Sequence, residues 1–257
     1  RFFVREDDGA LRAGVRTVLF FLQWLLLRLV GVRFVWTVHN LVNHERELTA
    51  LELTACRLLA RIVDGIIVHC ETAAGMVCDA YRIAGRKVRV VPHGHYIDAY
   101  PDPPERAPAR ERLGLPSEAR ILLHFGQIRP YKGVEDLIVA FRRLDGDDAF
   151  LAIAGQPRFD WLGERIRELA EKDPRIHLDL RYVPDDELTS YLSAADAVVL
   201  PYTDLLTSGS AVLAASYGRA SVAPAVGCLC AFPDDAIVRY SPDEEDGLEE
   251  ALERTGR

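Results

Sequence analysis

Methionine is almost missing from these 257 residues, with Met76 alone, and the five cysteines (56, 70, 78, 228 and 230) are odd in number and follow no framework spacing. A small disulfide-stapled secreted scaffold is thereby excluded, and a reducing, cytoplasmic compartment is expected. Cys228 and Cys230 lie too close together, and too far from the others, for a zinc pattern. Basic excess is lacking too: 31 Lys and Arg stand against 39 Asp and Glu, a net charge of −8. A nucleic-acid partner needs a basic footprint, so none is expected. The longest apolar stretch, 17–32, is interrupted by Gln23 and Arg28 and falls short of the roughly 20 residues that a spanning helix needs. No small-residue cleavage site follows it, against a signal peptide. G-x-G-x-x-G, Walker, G-x-S-x-G and kinase signatures are absent, which disfavours dinucleotide oxidoreductases, P-loop enzymes and α/β-hydrolases.

What is present is an ordinary globular composition, 49% apolar and 27% charged, long enough for one or two domains. Charge is uneven. Residues 1–105 hold 13 basic and 12 acidic side chains, the remainder 18 and 27. No acidic residue occurs between Asp8 and Glu45, where Arg12, Arg16, Arg28 and Arg33 stand. A helix over 12–33 therefore has two readings. It packs against a sheet, or it also touches an anionic membrane surface as a peripheral contact.

Short β-branched runs at 34–38, 66–68, 88–91, 121–125, 150–154, 176–178, 197–200 and 220–223 alternate with helical patterns near 46–61, 72–84, 134–144, 161–171, 185–194 and 208–217. Near-continuous apolar strands alternating with helices predict an α/β fold with parallel sheets covered on both faces. Residues 101–117 hold five of the 14 prolines and read as a linker. The expected organisation is two Rossmann-like domains facing across a cleft, 1–105 and 118–257. Ligands of such sheets sit beyond the carboxyl ends of the strands.

Four loops of the second half lie there. In 126–133, Gly126 permits a close approach, and Arg129 and Lys132 bring two cations to a helix start, which suits a diphosphate or simply a solvated turn. Thr207, Ser208, Gly209 and Ser210 offer hydroxyls and N–H groups at another helix start, for a phosphate, for capping, or for both. Residues 154–157 and 181–184 are strand-end turns whose backbone could read a base edge, with Tyr182 to stack on it. In the first half, three strand ends each bring a histidine to one edge: His39 before Asn40 and His44, His69 before Glu71, and His93 before Gly94. Substrate contact is the sharper reading and a structural role the plainer one. No short ligand pair supports a metal.

These runs resemble the family-4-type glycosyltransferases of the group 1 kind. The resemblance is carried by 126–133 (GQIRPYKG), 151–155 (LAIAG), 194–201 (AADAVVLP), 207–210 (TSGS), 37–40 (TVHN) and 91–94 (VPHG), in family order over about 34–230. It implies a GT-B fold, with a nucleotide-sugar donor held mainly by the second domain. Gly126, Arg129, Lys132 and the 207–210 helix start would hold the diphosphate, and Tyr182 and Val183 would lie near the base. His39 and His93 would reach the reacting centre from the first domain, with Asn40, His44, Glu71 and Gly94 on the acceptor side. It implies a hexosyltransferase moving a sugar from a UDP- or GDP-linked donor to a lipid-linked or polysaccharide acceptor. No metal or other cofactor is implied, since cations and a helix dipole stabilise the leaving diphosphate. The expected place is cytoplasmic, from the cysteine usage, and the second reading of 12–33 puts it as a peripheral protein on the inner face of a membrane. The sequence departs from the family pattern in having no Glu over 205–213, where many members carry two, and in having Gln127 where a basic residue is usual, with Arg129 two positions on as its replacement. Two other readings stay open: a sugar-nucleotide epimerase on the same fold, and a non-catalytic nucleotide-sugar-binding module. The family's opening strand and Gly-rich loop have no counterpart in 1–16, so the resemblance also implies an incomplete N-terminal domain and a natural chain extending beyond both ends.

Overall fold

The computed structural model describes residues 10–41 and 49–255. The chain divides into two compact units, Arg1–Pro92 and His93–Arg257.

The first unit runs α1 (Ala10–Leu29), β1 (Val35–Thr37), α2 (Thr49–Ile62), β2 (Gly65–Val68), α3 (Glu71–Tyr81) and β3 (Val88–Val90). Its strands form a parallel sheet in the order β1-β2-β3, in register Val35 to Gly65 and Ile66 to Val88. Ile66, Val68 and Val88 are buried with Leu59, Ala60, Ala73, Val77 and Tyr81 from the covering helices. Tyr81 stacks on Trp36 with ring centres 5.2 Å apart, and its hydroxyl donates to the Leu41 carbonyl at 2.8 Å. Helix α3 begins at Cys70, whose Sγ accepts from Ala73 N, so its dipole and cap sit at the carboxyl end of β2.

Helix α1 does not pack as a buried helix. Ala13 and Trp24 are covered, but Val15, Val18, Leu19, Leu22, Leu25, Leu26 and Leu29 are each at least half exposed. Trp24 meets Phe34 at 5.3 Å, and Arg28 pairs with Asp64 at 2.7 Å. Among the described residues no helix is long and apolar enough to cross a membrane.

The second unit opens with α4 (Arg106–Leu113) and continues β4 (Arg120–Phe125), α5 (Val134–Arg143), β5 (Ala149–Ala154), α6 (Asp160–Ala170), β6 (Ile176–Asp179), α7 (Asp185–Ala194), β7 (Ala197–Val199), α8 (Gly209–Ser216), β8 (Ala220–Pro224), β9 (Ile237–Tyr240) and α9 (Gly247–Arg254). All six strands are parallel, in the order β6-β5-β4-β7-β8-β9. From β4 the chain winds outward to β6, returns to the middle, and winds the other way. That is the doubly wound order, and its reversal point lies between the carboxyl ends of β4 and β7. Leu137, Ile138, Phe141, Ile166 and Leu252 from α5, α6 and α9 fill one face of the sheet. Ala109, Tyr191, Ala211 and Leu213 from α4, α7 and α8 fill the other. Strands buried on both faces explain the near-continuous apolar runs.

Two features differ from the sequence expectation. The proline-rich segment is in part helix α4, and the division between units falls ahead of it. Pro at position 108 sits in the first turn of α4, where its missing N–H costs nothing. The helix is held by Arg110, which is almost fully buried. Its guanidinium donates to Ala194 O at 3.0 Å and Ala119 O at 2.9 Å, and pairs with Asp196 at 2.8 Å. Strand β9 was not expected, because its four residues mix Arg239 and Tyr240 with two aliphatics and show no periodicity.

Candidate functional site

The loops leaving β4 and β7 flank the reversal point, and both carry residues expected at the site. After Phe125 the backbone turns at Gly126 (φ +96°), whose N–H donates to Ala154 O at 3.0 Å. The neighbouring turn needs a glycine as well, since a Cβ on Gly155 would stand 2.0 Å from the Gly126 carbonyl oxygen. Ile128 N bonds to Gln156 O, and Arg158 N to Ile128 O, each at 2.9 Å. The loops after β4 and β5 are thereby stitched together. A cavity of about 240 Å³ opens between them and the start of α7, lined by Gly126, Gln127, Ala154, Gly155, Gln156, Tyr182, Val183 and Leu188. The expected base residues Tyr182 and Val183 thus share one cavity with Gly126. Gln156 and Leu188 were not singled out by their residue types. Beside it, Arg181 pairs with Asp179 at 2.9 Å and with Glu187, fixing the Tyr182 turn.

Arg129 lies in the loop with its fork closed on Gln127: Nε and Nη2 donate to Gln127 Oε1 at 3.0 and 2.8 Å. Gln127 therefore draws the guanidinium back toward its own position, where the family usually places a base. Pro130–Lys132 form a single 3-10 turn, and Gly133 (φ +65°) comes so close to Pro201 that a Cβ would meet its carbonyl at 2.1 Å. This contact joins the β4 loop to the β7 loop. Lys132 Nζ lies 3.5 Å from where a Cβ on Gly126 would be and 5.6 Å from the centre of the Tyr202 ring. Burial, and secondly the nearby Arg129 charge, push the Lys132 ammonium down to about 8.

Beneath it lies His124 on β4, fully buried. Its Nδ1 is 2.9 Å from the Val199 carbonyl. A carbonyl only accepts, so Nδ1 carries the proton and Nε2 is a bare acceptor. That Nε2 is buried with no hydrogen-bond partner. Burial, then the Lys132 charge, push the imidazole down to about 3.

The two helix starts are unlike. Helix α5 carries Glu135 and Asp136 in its first turn, which offset its dipole. Helix α8 carries no acid there, so its N-terminal field is free to favour an anion. Ser208 caps α8, its Oγ accepting from Ala211 N at 3.1 Å. The capping reading of 207–210 is thus met, and the phosphate reading stays compatible with it. Tyr202 is buried, and burial pushes its phenol up while the Ser210 and Ser208 hydroxyls beside it act the other way. Gly209 leaves room for the Tyr96 hydroxyl, which a Cβ would meet at 3.2 Å. His124 and Tyr202 were not expected at the site, since one read as strand core and the other as loop.

The histidines fall in different units. In the first, His39 follows β1 and its ring centre is 5.2 Å from that of His69. His69 Nδ1 is 2.9 Å from Val91 O. Asn40 is exposed, and Glu71 is exposed at the first position of α3. His93 and Gly94 belong to the second unit, just past the division, rather than to the first domain. There His93 Nδ1 is 2.7 Å from the Gly94 carbonyl and its ring is 5.7 Å from that of Tyr96. His44 lies outside the described residues. Among the described residues no group of three or more His, Cys, Asp or Glu could hold a metal ion.

Comparison with known proteins agrees with this arrangement. Residues 105–216 match the family Glycosyl transferases group 1, and residues 15–98 match Glycosyltransferase Family 4. A GDP-mannose:glycolipid 4-beta-D-mannosyltransferase of Xanthomonas campestris pv. campestris is 33% identical over 203 residues, 77% of this chain and 52% of that protein. A 2-deoxystreptamine glucosyltransferase of Streptomyces kanamyceticus is 29% identical over 247 residues, 85% and 60% of the two chains. The chain thus spans little more than half the length of these relatives. Among solved structures, a sucrose-phosphate synthase from Thermosynechococcus elongatus superposes with a TM-score of 0.77 at 23% identity, covering 91% of this chain and 61% of that one. Anabaena Alr3699/HepE in complex with UDP superposes at 0.75 with 18% identity, covering 95% and 67%. The fold is therefore that of the GT-B glycosyltransferases.

Proposed function

Because the chain belongs to the family-4, group 1 glycosyltransferases, we propose that it takes part in moving a hexose from a UDP- or GDP-linked donor to a lipid-linked or polysaccharide acceptor. The observation that carries this is that a cavity of about 240 Å³ beside the β4 loop, a half-buried lysine in that loop and an acid-free helix start all lie at the carboxyl edge of one parallel sheet. The cavity takes the base beside Tyr182 and Val183. Lys132, Arg129 and the N–H groups at the start of α8, flanked by Thr207, Ser208, Gly209 and Ser210, meet the diphosphate. As the bond to the sugar breaks, negative charge grows on the departing diphosphate, and these fixed donors stabilise it without reorganising. That role needs no metal, and transfer should survive chelation of divalent ions. His39 and His93 are the candidates for contact with the transferred sugar or its acceptor, and Asn40, His44, Glu71 and Gly94 are the further acceptor-side candidates.

The name of the Xanthomonas relative gives a GDP-linked donor and a glycolipid acceptor, which supports the lipid-linked reading. So does the exposed apolar face of α1 between Arg12, Arg16 and Arg28. We place the protein at the inner, cytoplasmic face of a membrane. Vesicles containing anionic lipid should sediment it, and replacing those three arginines should release it. Equal sedimentation with and without them would end the membrane reading.

The donor reading is tested by calorimetric titration with UDP, GDP, ADP and NAD. One nucleoside diphosphate should bind preferentially. Lys132→Ala should weaken it about ten- to a hundredfold, the worth of a charge-assisted contact. A folded protein that binds none of the four would refute it.

A further inference from the structure

Lys132 is held by something other than a counter-ion. Its ammonium stands over the Tyr202 ring, close to the open face of Gly126, with the buried imidazole of His124 as a charge neighbour. The charged group acting on it is Arg129 from its own loop, and His124 on β4 is its titratable neighbour. An ammonium taken out of water needs a surface of negative potential. The face of a tyrosine ring supplies one, and so does the bare lone pair on His124 Nε2. An imidazolium there would repel the cation, and burial together with the bond to Val199 O keeps that ring neutral.

Tyr202 faces two ways. Its ring supports Lys132, while on the other side it packs in one buried cluster with Ala211 of α8, its hydroxyl beside those of Ser208 and Ser210 at the start of that helix. The cation and the helix start lie more than 75 residues apart in sequence, yet one buried side chain borders both. We propose that Tyr202 is a positioning residue that locks Lys132 and the amino end of α8 into a single anion-binding unit, with His124 closing it from below. This rests on the donor reading above, because the anion concerned is the diphosphate.

The test is titration of GDP and UDP into the full chain between pH 6.5 and 9.5, for the parent, Tyr202→Phe and Tyr202→Leu. The parent should bind with constant affinity at low pH and weaken above a break near pH 8, where the free Lys132 loses its proton. Phe keeps the ring and removes the hydroxyl, so the break should stay where it is while affinity falls about three- to tenfold. Leu removes the ring as well, and the break should move down by about one pH unit. A purely structural tyrosine would not shift that break. Unchanged affinity in the Phe variant, or a Leu break equal to the parent's, would overturn the proposal. Should the Leu variant not fold, the Phe variant decides alone. A parent that binds neither diphosphate would instead bring down the donor reading, and this inference with it.

Discussion

Gly155 and Gly126 face one another so closely that a Cβ on the first would stand 2.0 Å from the carbonyl oxygen of the second. The obstacle is backbone, with no flexible end to move aside. The Gly126 carbonyl belongs to a turn whose N–H is already committed to Ala154 O. Gly155→Ala should therefore force the two loops apart, close or distort the 240 Å³ cavity they border, and cost about 3 kcal/mol. Urea unfolding would measure the stability loss. Nucleoside diphosphate binding should be lost in conditions where the variant remains folded.

Lys132 sets stability against binding. Its folded pKa of about 8 lies below the ordinary lysine value. The unfolded chain therefore holds the proton more tightly, and below pH 8 the folded protein bears the cost of a desolvated charge. Stability should rise as pH climbs from 8 toward 10.5, where the unfolded lysine also lets go. Lys132→Met should stabilise the protein at pH 7 by about 1–2 kcal/mol, discounted because the side chain keeps some solvent contact. The same change should weaken diphosphate affinity about ten- to a hundredfold. A destabilised Met variant would contradict the burial argument.

Much of this was legible in the sequence. The runs around Leu122 and Ile153 are apolar because their strands are covered on both faces, and that pattern survives in one dimension. Gly126, Tyr182 and Val183 could be singled out because each lies in a loop that follows a strand. His124 and Tyr202 could not. A histidine in the middle of LLHFG and a tyrosine after a proline carry no spacing signal, and their roles come from contacts with Lys132 and with α8 that only the folded sheet creates. Helix α4 was hidden for a related reason. Its stability comes from Arg110 reaching Ala194, Ala119 and Asp196 far along the chain, whereas its own composition reads as linker.

His124 makes the second unit sensitive to acid. The folded pKa, about 3, lies below the model-peptide value of about 6.5. Protons therefore bind the unfolded chain first, and stability is lost as pH falls through 6.5 toward 3, by about 1.4 kcal/mol per pH unit. Between pH 7 and pH 5 this group alone should remove about 2 kcal/mol. His124→Asn keeps a donor for the Val199 carbonyl but cannot titrate. Its urea midpoint should fall less steeply over that range than the parent's. Parallel slopes would show that another group governs the acid limb.

Arg110 and Asp196 fasten α4 to the sheet. Asp196 Oδ2 accepts from Arg110 Nη2 at 2.8 Å and from Ile121 N at 2.7 Å, while Arg106 approaches its other oxygen. The Arg110 side chain is almost wholly buried and the Asp196 side chain one quarter exposed. Truncating the arginine leaves a half-buried carboxylate with its main cation gone and the carbonyls of Ala194, Ala119, Ser117 and Pro116 without this donor. Removing one member of such a pair costs about 3–5 kcal/mol. Arg110→Met should thus lose about 3 kcal/mol, with the exposed Arg106 making up little of it. Arg106→Met should lose under about 1 kcal/mol, as surface pairs do. Hydrogen exchange would separate local from global effects. Amides of α4 and the start of β4 should lose protection first in the Arg110 variant, because Ile121 N shares the same carboxylate. Equal losses from the two substitutions would mean that the linker helix is held by its apolar contacts, such as Ala109, and not by this buried fork.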